Sequence, residues 1–358
     1  MDMNKKKTRH SKKIITAIML ACVMLISCVG CGKKTVSVEE AKKNVVMTLN
    51  DYDVTLSEYN LFAIQYMMMQ GMNPDDITSD KIDSMKTEIA NEIKLEIVEY
   101  LLAQQTDGVE VTDDAKAEIS TNTDNYIDKM GEDFLSQYGI DKAAVTQLFT
   151  EQAYIKALTD KAKQDLADDA YEDNAEKFKD IDFHTVYYAL FPSIQYDEDG
   201  NAVTDDNGEN VSLSDDELKK QKEKAEELQK RAAKGEKLED LIEEYGISAY
   251  SGEERNYQGA YEDKLNQVVD NMKEGDISDV VETDAGYMVV RMDNPKDEDY
   301  KEYALHYAAM QKANSTITTL QQSWLSSSGC KDVEPDEDVI KSVDFKGMCQ
   351  KMKDNGVY

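Results

Sequence analysis

Over most of this 358-residue chain the apolar side chains recur at helical spacing, and in one block they do not. Ile82, Met85, Ile89, Ile93, Ile97 and Leu101 fall three or four residues apart, which predicts one long helix over Ser79–Gln105. Thr55 and Glu58 make a capping-box pair that opens an earlier helix running to Met72. A strand-like run at 44–49 and a turn at Asn50 and Asp51 precede it. Later helices fit 132–138, 141–160 with a polar stretch to 179, and 299–325. Between these lies the exception. Residues 183–191 are β-rich and Pro192 ends them, two charged helices follow at 215–234 and 237–245, a third at 265–272, and closing strands fall near 280–281 and 286–292. The expected fold class is α+β: a mostly helical region, then a compact α+β block, then a long C-terminal helix.

Charge narrows the function classes. The formal net charge is −32, although the first 27 residues hold six basic side chains against one acid, so the remainder is more acidic still. Such a surface repels phosphate backbones and offers no polybasic attraction to anionic lipid. Only three histidines occur, His10, His184 and His306, far apart, which argues against a multi-histidine metal centre or a histidine-dependent triad. The acidic stretch 197–210 reads as a solvated hairpin tip; Gly200 comes too early for an EF-hand. No metal and no cofactor is expected. His184 reads as a partly exposed strand histidine. Met67, Met68, Met69 and Met72 read as mostly core, with an adaptable binding surface as the alternative.

The N-terminus is a basic stretch followed by an apolar run, 14–27. As a helix that run reaches roughly 21 Å, short of the ~30 Å hydrocarbon core, so it reads as an export signal rather than a span. It ends in Leu25, Ile26, Ser27 and Cys28, which resembles the lipobox of bacterial lipoproteins; Cys31, after Gly30, is the alternative acylation site. Residues 1–27 are then the signal peptide and 28–43 a polar tether. Cys330 and Cys349 could form a disulfide in an exported chain, or stand as two thiols.

Residues 45–59 and 99–114 resemble the opening helices of the PrsA/SurA-type extracytoplasmic foldases. The block from Asp182 to Met292 is similar to a parvulin (PpiC-type) prolyl isomerase domain, most clearly at 234–245, 275–283 and 286–290. The resemblance implies an N-terminal helical chaperone domain at 44–180, a parvulin-like domain at 181–298, and a C-terminal helix and tail, 299–358, that pack on the first. Active parvulins carry two histidines on facing strands, a Cys or Asp between them, and an apolar proline pocket. Carried onto this sequence, the histidines fall on Tyr188 and Met288 and the Cys or Asp on about Ser248. The pocket falls on Tyr261 and Leu265, with Met272 nearby. Tyr188 and Ser248 are therefore the candidate polar positions, and Tyr188, Tyr261, Leu265, Met272 and Met288 the candidate substrate contacts. With the histidines replaced, isomerase activity is expected to be weak or absent, and chaperoning the main role. The implied partners are unfolded or partly folded exported polypeptides and, through the lipid, the outer face of the cell membrane; nucleic acid is not one. The alternatives are a non-catalytic solute-binding lipoprotein, against which the lack of alternating β and α units counts, and an envelope-assembly protein.

Overall fold

The computed structural model describes residues 36–197 and 201–357. The leader, with Cys28 and Cys31, lies outside the described residues. The first element is α1 (Val38–Lys43), whose start is capped by the Ser37 hydroxyl accepting from the Glu40 amide. Its Ala41 is fully buried against Gly139, where an added Cβ would come within 2.2 Å of the Ala41 methyl and where φ is +72°. Lys42 pairs with Asp141 close by. The supposed tether thus ends in a docked helix. One buried alanine in six residues leaves no amphipathic pattern to read.

A hairpin follows, β1 (Val45–Leu49) and β2 (Tyr52–Thr55), turned by Asn50 at a left-handed φ of 53°. Thr55 and Glu58 form the capping box of α2 (Leu56–Met69). Then come α3 (Ser79–Gln105), α4 (Asp113–Met130), α5 (Glu132–Gln137) and α6 (Lys142–Lys177). The expected helix at 141–160 and the polar stretch after it are one continuous helix. No Gly or Pro interrupts α6, and the i,i+4 pairs Lys156–Asp160 and Lys161–Asp165 tie its turns across the supposed break.

The inserted block has β3 (Phe183–Pro192), α7 (Asp215–Ala232), α8 (Leu238–Tyr245), β4 (Gly252–Tyr257), α9 (Asp263–Val269), β5 (Val281–Thr283) and β6 (Gly286–Asn294). Its strands form one antiparallel sheet in the order β4-β3-β6-β5. Gly286 makes the β5–β6 turn possible: its φ is +141°, and a Cβ there would lie 2.1 Å from the Phe191 carbonyl oxygen. Side chains alternate across the sheet. One face carries Ala189, Phe191 and Val289 against α7 and α8; the other carries Val186, Met288, Val290 and Met292 against α9.

The chain leaves the sheet along α10 (Glu298–Ser327), which lies beside α6 in the opposite direction: Glu302 accepts from the Tyr171 hydroxyl, while Trp324 clusters with Tyr154 and Leu158. Two short helices, α11 (Glu337–Ile340) and α12 (Phe345–Asp354), end it. They do more for the first core than α10 does. The long helix buries Leu305, Ala309, Ala313 and Ile317, whereas the tail sets Ile340, Phe345, Met348 and Met352 among Leu49, Leu61, Ile64 and Met85. The disulfide considered for Cys330 and Cys349 is absent. Both thiols are buried, but the Cys349 thiol donates to the Met72 carbonyl at 3.3 Å while Cys330 turns to Ser328.

Candidate functional site

The site is the sheet face that α9 covers. Because side chains alternate, His184, Val186, Tyr188 and Leu190 of β3 share it. Register sets their neighbours: Asn256 opposes His184, Glu254 and Met292 flank Val186, Gly252 and Val290 flank Tyr188, and Met288 opposes Leu190. Leu265 and Val269 of α9 close over them, with Tyr261, Val268 and Met272 half-buried at the border. Tyr188, Tyr261, Leu265, Met272 and Met288, which the resemblance selected, are thus brought into one cluster.

Ser248 is not. It is exposed in the short 3-10 turn Ser248–Tyr250, whose Tyr250 packs on the opposite face of the sheet. Ser251 is the serine that reaches β3, its hydroxyl accepting from the Leu190 amide at 3.1 Å.

His184 is a correction to the reading above. It is 3 % exposed, not partly open, and its ring lies 5.6 Å from that of Tyr261 at an angle of 30°. Its Nε2 and the Tyr261 hydroxyl are both buried without a hydrogen-bond partner. Burial holds the imidazole below its ordinary pKa, against the pull of Asp270 and Asp182. Burial, then the charge of Glu254, pushes both Tyr188 and Tyr261 above the usual phenol value. Glu254 is itself raised by burial. The face therefore carries a seam of polar groups, His184, Tyr261, Tyr188 and Glu254, within an apolar bed. Glu254 escaped the sequence reading because β4 did: its run of Gly252, Glu253, Glu254, Arg255, Asn256 and Tyr257 has no apolar alternation. A charged edge strand is the usual defence against pairing with another chain.

The bed is also full. Leu265 is 6 % and Met288 9 % exposed, so the residues that would receive a prolyl ring are packed on one another.

An antiparallel four-stranded sheet with helices on both faces defines an α+β domain. Residues 207–294 match the family model described as "Rotamase: PPIC-type PPIASE domain", so this part of the chain is a parvulin-type domain, of the peptidyl-prolyl isomerase kind. The match leaves out β3, the strand that pairs with both β4 and β6. None of the curated proteins matches the chain. Among solved structures it is similar to the foldase protein PrsA of Lactococcus lactis, at 14 % identity over 87 % of this chain and 99 % of that one, with a TM-score of 0.39. It is also similar to PrsA of Bacillus subtilis, at 19 % identity over 80 % and 93 % with a TM-score of 0.25, and to a SurA-like chaperone of Campylobacter jejuni, at 9 % over 82 % and 100 % with a TM-score of 0.24.

Proposed function

We propose that the chain is an exported, lipid-anchored foldase that holds non-native secreted polypeptides outside the cell membrane, with prolyl isomerisation weak or absent. The observation that carries the second half is the sheet face itself. Isomerisation breaks no bond; its barrier of ~18–20 kcal/mol is rotation about the peptide C–N bond. A catalyst must bind the twisted amide better than the planar one. Here Tyr188 and Met288 stand where the resemblance puts histidines, and the acceptor bed is filled by Leu265 and Met288. His184 lies on the same face, but it is buried, neutral and stacked on Tyr261. The holding role draws support from exposed apolar groups on the helical module, Met69, Tyr303, Tyr307 and Met310.

The test is one preparation in two assays: refolding of a proline-limited substrate, and suppression of aggregation of a denatured one. Uncatalysed isomerisation takes roughly 10–100 s at 25 °C, so even modest catalysis is visible. Suppression with little acceleration is expected. Strong acceleration that is lost in Tyr188→Phe would show that tyrosine replaces histidine here. Anchoring rests on the leader; replacing both Cys28 and Cys31 by Ala should abolish lipid labelling.

A further inference from the structure

A groove of about 620 Å³ runs between α2, α3 and α6, on the helical module rather than the sheet domain. Phe62, Leu95 and Ile155 give it apolar walls, Gln65, Gln152 and Lys163 line it beside them, and Met69 at its lip is 70 % exposed. Along it lie Glu92, Glu96 and Glu99, whose spacing of four and three residues stacks them on one face of α3. Glu99 is 3 % exposed, and its Oε1 has no hydrogen-bond partner; nor has Oε1 of Glu96. Gln321 of α10 serves the rest of the Glu99 carboxyl. Behind them Glu151 accepts on its Oε1 from the Tyr52 hydroxyl at 2.7 Å and from the Gln147 amide at 2.9 Å. Lys156 at the rim turns to Asp160. Two carboxyls short of donors beneath an apolar groove are costly unless something supplies those donors.

We infer that this groove takes a lysine side chain of a bound polypeptide, with the ammonium among Glu92, Glu96 and Glu99 and the methylene stem on Phe62, Leu95 and Ile155. Three carboxyls converging from successive turns suit the three donors of an ammonium better than the flat fork of a guanidinium. The unanswered Oε1 atoms of Glu96 and Glu99 are the acceptors that the cation would meet. The volume is that of a ligand site rather than of one side chain, leaving room for apolar neighbours of the lysine, which Met69 can meet. The net charge of −32 draws basic segments towards the chain from a distance. The inference rests on the reading of the chain as a holder of non-native polypeptides, and names the residue chemistry that one groove selects.

The experiment titrates two labelled peptides on the full chain, identical but for a central Lys or norleucine, with aggregation suppression measured on the same preparation. The Lys peptide should bind tighter by about tenfold. Glu96→Gln with Glu99→Gln, which keeps the shape of both side chains, should bring the two affinities together. Equal affinities for the unmodified chain, with suppression intact, overturn the groove assignment and leave the foldase reading standing. Loss of suppression with neither peptide bound overturns both. Binding of 1,5-diaminopentane with the same sensitivity to the Gln variants, and no binding of the Lys peptide, would make the groove a free-amine site and overturn the polypeptide assignment.

Discussion

The helical module and the sheet domain bury ionisable groups of opposite kind. On the first, Glu96, Glu99 and Glu151 are pushed up to about 8, 7 and 7, chiefly by burial. On the second, burial pushes His184 down. The same cost, that of placing a charge in a poor solvent, acts on an acid in one region and a base in the other. Through these groups the two regions answer pH in opposite directions, with Glu254 of β4, raised by burial, working against His184 in the second. A carboxyl whose pKa rises on folding binds its proton more tightly in the folded chain, so its region loses stability as pH climbs from the unfolded value of 4.5 towards 7 and 8. A histidine whose pKa falls on folding binds its proton less tightly, so its region loses stability as pH drops below the unfolded value of 6.5.

The regions differ also in how sequence-distant parts close them. The helical core draws together residues from Ala41 to Val357, whereas the sheet domain's two cores lie within 186–292. Removing 331–358 should thus have the largest effect, unfolding the helical module while the sheet domain survives. Fluorescence of Trp324, the only tryptophan, reports the first, and hydrogen exchange in 183–294 the second. A truncated chain with an unchanged Trp324 transition would break the comparison.

Leu265→Asp should act the other way round, at a cost of ~3–5 kcal/mol to the sheet domain for an uncompensated buried charge. Hydrogen exchange should rise in β3 and β6 and not in α3. The pH responses come next in size. The Trp324 transition should be highest near pH 5 and lower at pH 8, and Glu96→Gln should flatten that slope. Exchange protection of β3 should instead weaken from pH 7 to pH 5, and His184→Gln should remove the trend. Parallel pH profiles in the two regions would refute the contrast. The smallest effect is none: a reductant should leave both transitions where they are, since Cys330 and Cys349 do not pair.

Much of this was legible before the structure. The helix Ser79–Gln105, the capping box at Thr55 and Glu58, and the β run ended by Pro192 are each written in consecutive residues, because period and capping are local. So was the set Tyr188, Tyr261, Leu265, Met272 and Met288, through the order of motifs around it. The exceptions share one cause. Polar β4 became a strand only because β3 offered it a ladder, and six residues of supposed tether became a helix because Gly139 left a seat for Ala41. Ser248 was displaced by Ser251 through the course of one turn. His184 was placed under Tyr261, and Glu99 beside Gln321 of α10, by partners far along the chain. Periodicity along the chain determined which segments would be helix and which would be sheet. Which polar groups went under cover, and so which way each region answers pH, was settled only by tertiary packing, because desolvation depends on what lies across a contact and not on what stands next in sequence.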